Sequence, residues 1–152
     1  MHFDVLTLFP EIFSGYTTQS ILNKAIEKQL VGIKTHNMRD WTEGAHNKID
    51  DRPYGGGPGM ILMVEPVVKC VREISRTPAA PSDQPPRTIL LTPTGRKLDQ
   101  MLVEELSQQQ RFILLCGRYE GLTNESVIFW IRWKFPLVTS FSMAEKSPRW
   151  CS

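Results

Sequence analysis

No glycine follows Gly121, although the chain has ten, and three of its four tryptophans (Trp130, Trp133 and Trp150) fall in that glycine-free tail. Cysteine is scarce: Cys70, Cys116 and Cys151 stand apart, with no close Cys/Cys or Cys/His pair. That spacing excludes a zinc ribbon and a disulfide framework, and it fits a reducing cytoplasm. No apolar run is long enough to span a bilayer. The opening "MHFDVLTLFPEIF" has Asp4 inside its apolar run and lacks a basic head, so it does not read as a signal peptide. Charge of one sign is also lacking. A net charge of +2 is too small to identify a polyanionic partner, so any nucleic-acid surface must be local. His2, His36 and His46 show no ligand spacing, and no metal site is assigned from them.

What is present suits one domain: 152 residues, able to bury roughly 68–70% of the unfolded surface. Phe3–Phe9 is a short β-rich run stopped by Pro10 and predicts a buried strand. Ser20 is placed to cap a helix with Ile21, Leu22, Ala25, Ile26 and Leu30 at helical spacing, ended by Gly32. Val31–His36 reads as a second strand. Asn37–Met60 is polar and aperiodic, a long surface loop of the kind that is usually functional or disordered. Val64–Ser75 returns to helical spacing, and the proline-rich Thr77–Arg87 connects it to a third strand, Thr88–Leu91. After "TPTG" comes a helix with Leu98, Met101, Leu102 and Leu106 as its core stripe, then a fourth strand, Arg111–Cys116. This alternation predicts an α/β fold with a largely parallel sheet. Ligands of such sheets sit at the carboxyl ends of strands, where both "TPTG" and "GRYEG" fall.

Two motifs stand out. "DDRPYGGGPGM", Asp50–Met60, combines charge with three consecutive glycines, which allow close backbone approach. It is neither a Walker loop nor a dinucleotide fingerprint. A flexible turn and a ligand loop remain equally open readings. "GRYEG", Gly117–Gly121, follows a strand: either a tight turn or a loop in which Glu120 meets ribose hydroxyls or a cation. Arg39, Lys48, Arg52, Arg96, Lys97 and Arg118 all lie in or beside these loops and, gathered on one face, could grip phosphates.

"LTLFPEIF", "DDRPYGGGPGM", "LTPTGRKLDQ" and "LLCGRYEG", in this order and spacing, closely resemble the bacterial tRNA (guanine-N(1)-)-methyltransferase family (TrmD), of the SPOUT class of knotted methyltransferases. The likeness runs from Met1 to Leu122. It implies a deep trefoil knot, an exception to the rule against threaded chains. It also implies an obligate homodimer, tRNA as substrate, and methyl transfer from S-adenosylmethionine to N(1) of the guanine just 3′ of the anticodon. By the resemblance, Pro93 and Gly95 belong to a first cofactor loop, and Gly117, Arg118, Tyr119, Glu120 and Gly121 to a second. Asp50, Arg52, Gly55, Gly56, Gly57 and Gly59 belong to the motif that supports tRNA binding. The resemblance admits Mg2+ as well. It places the general base, an aspartate, beyond Ser152, toward a C-terminal helical domain, so no catalytic residue is assigned here.

Past Leu122 the likeness fails, and the tail reads as the same gene one base out of step. Each in-step codon is then the last base of one residue's codon plus the first two of the next. Asn124–Glu125 must give Arg, since the only other outcome is a stop; Trp133–Lys134 must give Glu, Met143–Ala144 Gly and Trp150–Cys151 Val. The remaining slots permit the family's Asp-Glu-Arg-Val after "GRYEG". From Lys134 onward they permit Glu-Ile-Ser-Leu-Gly-Asp-Phe-Val-Leu-Asn-Gly-Gly-Glu, the resemblance's third cofactor loop and threaded segment. The expectation is a methyltransferase body over residues 1–122, an out-of-frame tail over 123–152, and an incomplete knot.

Overall fold

The computed structural model describes residues 1–43, 48–51, 61–77, 85–117 and 139–142. The expected α/β architecture is there. Strands β1 (His2–Thr7), β2 (Gly32–Asn37), β5 (Arg87–Lys97), β6 (Arg111–Cys116) and β7 (Thr139–Ser142) form one sheet in the order β2-β1-β6-β5-β7. Every neighbouring pair in it is parallel. A separate antiparallel pair joins β3 (Asp50–Asp51) to β4 (Ile61–Leu62). The helices are α1 (Glu11–Thr17), α2 (Ser20–Glu27), α3 (Val64–Arg76) and α4 (Gln100–Ser107), with a 3-10 turn at Met38–Trp41.

Two cores follow from the strand period, which sends alternate side chains to opposite faces. On one face Leu6, Ile113, Leu115 and Leu90 meet Val67, Cys70, Val71 and Ile74 of α3. On the other, Phe112 and Ile89 meet Leu102 of α4, and Phe3 stacks on Phe112 at 5.1 Å between ring centroids. The Asp99 side chain caps α4, accepting from the Leu102 amide at 2.9 Å. Pro66 sits in the first turn of α3, where a missing N–H costs nothing.

The structure departs from the sequence reading at several places. Ser20 does not cap α2: it is the first helical residue, with φ of 57°, and Gln19 precedes it without a side-chain cap. The apolar positions of α2 are not core, for none of its residues is buried and Ile21 is 81% exposed. Gly32 opens β2 rather than closing the helix. A Cβ there would lie 2.6 Å from Nδ1 of His2, so the imidazole can hold this position only because residue 32 has no side chain. Of the proposed stripe on α4, Leu102 is buried and Leu106 packs beside it, whereas Leu98 and Met101 are exposed. Strand β7 was not anticipated. Main-chain pairing is tolerant of sequence, and the outer edge of β5 offers unpaired donors and acceptors that a short extended segment satisfies.

Candidate functional site

The carboxyl edge of the sheet carries the described parts of two sequence motifs. The β5–β6 ladder ends at Leu91 opposite Cys116, so the "TPTG" segment of β5 and Gly117 after β6 follow the last paired residues of neighbouring parallel strands at the same level. On its other side β5 pairs with β7 up to Leu91 and again from Arg96, both of which register on Phe141. Thr92, Pro93, Thr94 and Gly95 fall between these two pairings as a bulge within β5. Gly117 is exposed beside it.

The glycine-rich motif is rooted near this edge. Ile49 and Leu62, on either side of it, are buried in the same core cluster as Leu8 and Met38, which follow the carboxyl ends of β1 and β2. The Met63 amide donates to the Ile49 carbonyl at 2.7 Å, and the β3–β4 ladder pairs Asp50 with Leu62. Asp50 is half-buried in this stem. Arg52, Gly55, Gly56, Gly57 and Gly59 lie outside the described residues, as do Arg118, Tyr119, Glu120 and Gly121 of the second cofactor loop.

Of the cations that could grip phosphates, Arg52 and Arg118 lie outside the described residues. Arg39 is a structural brace: its Nη1 donates to the Leu8 carbonyl at 3.1 Å, and its guanidinium lies 5.6 Å from the Phe9 ring centroid. Arg96 is drawn toward Glu105, 3.9 Å away, which also binds Arg87 at 2.9 Å. Lys97 remains exposed.

At the other end of the same sheet lies a group that the sequence reading missed. Asp4 (2% exposed) receives Nε and Nη2 of Arg111 (7% exposed) at 3.0 and 2.9 Å, and its second oxygen lies 2.9 Å from Nε2 of His36. Arg111 also donates to the carbonyls of Thr77 and Ile74. The clamp ties β1, β2 and β6 to the end of α3. Its signal in the sequence was a charge of each sign set into two otherwise apolar strands.

Cys116 closes β6 directly before Gly117, and burial pushes its thiol above the ordinary range. Cys70, in the core, is raised further by burial, with nearby carboxylates adding to the effect. A raised thiol holds its proton more firmly, so at any given pH less thiolate is present than in a free cysteine. Iodoacetamide should therefore label Cys116 in the native protein more slowly than after unfolding in guanidinium, with the rate still climbing above pH 9. Equal native and unfolded rates would show an open thiol. Neither cysteine is suited to act as a nucleophile at neutral pH.

Comparison with known proteins bears on this edge. The family model described as tRNA (Guanine-1)-methyltransferase TrmD matches residues 1–135. The tRNA (guanine-N(1)-)-methyltransferase of Rhodopirellula baltica is 60% identical over 122 residues, covering 80% of this chain and 49% of the relative. The protein of that name from Geobacter metallireducens is 45% identical over 123 residues, 80% of this chain and 48% of its own. The chain thus spans about half the length of the curated relatives it matches. The crystal structure of tRNA (m1G37) methyltransferase from Aquifex aeolicus superposes with a TM-score of 0.76 at 34% identity, over 95% of this chain and 60% of that one.

Proposed function

Because this chain belongs to the tRNA (guanine-1)-methyltransferase family, we propose that its α/β body is the donor-binding part of an enzyme that methylates N(1) of the guanine at position 37 of tRNA, just 3′ of the anticodon. The observation that carries this reading is that the "TPTG" bulge of β5 and Gly117 after β6 follow the end of one parallel ladder at the same level. A ligand's adenine and ribose can be held there by main-chain groups at the carboxyl ends of the strands. On this reading Pro93, Gly95 and Gly117–Gly121 form the cofactor pocket, and Asp50, Arg52 and the glycines of the motif support tRNA.

S-adenosylmethionine, when bound, supplies an electrophilic methyl group on a sulfonium. The protein's part is to hold that methyl in line with guanine N(1), exclude water, and let the N(1) proton leave to a base. No described residue is assigned as that base. Among the described residues no group of three or more His, Cys, Asp or Glu gathers to hold a metal. Among the described residues no helix is long and apolar enough to cross a membrane; a tRNA substrate places the enzyme in the cytoplasm. The exposed Ile12, Tyr16 and Ile21 of α1 and α2 support a homodimer, since a second copy is a natural cover for apolar side chains left in water.

A second reading is favoured by the tail: the present chain is a catalytically inactive, frameshifted remnant of that enzyme, with body 1–122, out-of-frame tail 123–152 and an incomplete knot. The forced Arg, Glu, Gly and Val of the in-step frame support it, as does identity to the relatives over 122–123 residues. Pockets bury most of a ligand's surface, and losing one wall sacrifices much of that burial. Calorimetry of this chain with S-adenosylmethionine should accordingly show weak binding or none. Micromolar binding would show the pocket to be complete and the remnant reading wrong.

A further inference from the structure

Away from the carboxyl edge, a groove runs between the outer face of α3 and the 3-10 turn. Its wider part, about 560 Å³, is lined by Trp41, Lys69, Arg72, Glu73, Arg76 and Thr77. A narrower pocket of about 380 Å³ continues it toward Lys34 and His36 on β2, sharing Trp41, Glu73 and Thr77.

The charges of this groove are unequally spent. Glu73 accepts from the Trp41 indole N–H at 2.8 Å, and Lys69 is clasped by Glu43 and by Glu65 at 3.0 Å. Asp4 is consumed by Arg111 and His36. Lys34, Arg72 and Arg76 remain, all exposed and with no polar side-chain partner among the described residues. Arg72 and Arg76 are one helical turn apart, about 6 Å between their Cβ atoms. They line the same pocket as Trp41, an indole whose N–H is pinned and whose ring is half-buried. Backbone-gripping cations beside an aromatic platform are the elements of a surface that binds a nucleic-acid strand. An acidic protein segment would match the charge but would leave the aromatic platform unused.

We propose that this groove is an RNA-backbone contact distinct from the glycine-rich motif: Lys34, Arg72 and Arg76 bind phosphates, and Trp41 supports a base or ribose. The proposal rests on tRNA being the substrate and adds a second surface for it. Binding of a fluorescein-labelled tRNA transcript to the 152-residue chain tests it by anisotropy across a salt series. The double variant Arg72→Ala/Arg76→Ala should bind at least tenfold more weakly at about 0.1 M salt, with the slope of log K against log salt reduced by about 2. Lys34→Ala, on a different element, should lower the slope by about 1. Circular dichroism should be unchanged, since all three side chains are exposed. Unchanged affinity and slope in these variants, with binding lost in Arg52→Ala, would overturn the groove and leave the tRNA reading intact. Failure of the unaltered chain to bind tRNA at low salt would overturn both. Displacement of tRNA by poly-glutamate at equal charge concentration would assign the groove to an acidic partner instead.

Discussion

Restoring one base at the Leu122 codon should turn a protein with no measurable methyl transfer to tRNA into one that methylates guanine beside the anticodon. In the present frame the residues after Gly121 contain no glycine, and the segment that should complete the donor pocket reads "KFPLVTSFSMAEKSPRW". Only Thr139–Ser142 of that segment is described, as an edge strand on β5. Strand pairing needs only main-chain groups, whereas a cofactor loop needs glycines where backbone must approach ligand. An out-of-frame tail can supply the first without the second. Misaligning donor and acceptor costs rate, because the methyl must be held in line with the attacking nitrogen. Labelled methyl transfer to tRNA, measured side by side for the two proteins, is the test. Equal activity would show that the tail is a working substitute and that the frameshift reading is wrong.

Asp4→Ala should cost about 3–5 kcal/mol of folding stability. The substitution leaves the Arg111 guanidinium buried beside an empty acceptor position, and the desolvation of that charge is no longer offset. The loss exceeds that expected for any exposed ion pair here, such as Arg96–Glu105, because surface pairs contribute about 0–1 kcal/mol. Replacing both partners by apolar residues, Asp4→Leu with Arg111→Met, should recover much of the loss, since the penalty comes from the unpaired charge. Arg111→Lys should not, because one ammonium cannot reach two carboxylate contacts and the Thr77 and Ile74 carbonyls together. Urea unfolding of the four proteins would check this. A loss below about 1 kcal/mol for Asp4→Ala would mean that water or His36 takes over the role of the carboxylate.

Several elements were legible in the residues alone. The run "RFILLC" became a strand with those limits, Arg111–Cys116, because a short β-rich apolar run between polar residues has few other ways to be buried. The parallel α/β class followed from alternation, and four motifs at family spacing identified the lineage. The 3.6-residue period of Ile21, Leu22, Ala25 and Ile26 also correctly announced a helix. Periodicity states that a face is apolar, however, and not what covers it, and in this chain that face is open.

The rest was decided in three dimensions. Asp4 and Arg111 are 107 positions apart, and only the β1–β6 register, with His2 opposite Arg111, brings them within bonding distance inside the core. The "TPTG" bulge depends on β7 rejoining β5 after Leu91, a pairing that no local pattern encodes. Arg39, which the sequence offered as a phosphate ligand, donates to the Leu8 carbonyl, while Arg72 and Arg76, unremarked in the sequence, have no polar side-chain partner among the described residues and line a pocket with Trp41. Residue type sets what a side chain is able to do. Which of those interactions it makes depends on the neighbours that strand order and helix packing place within a few ångströms of it.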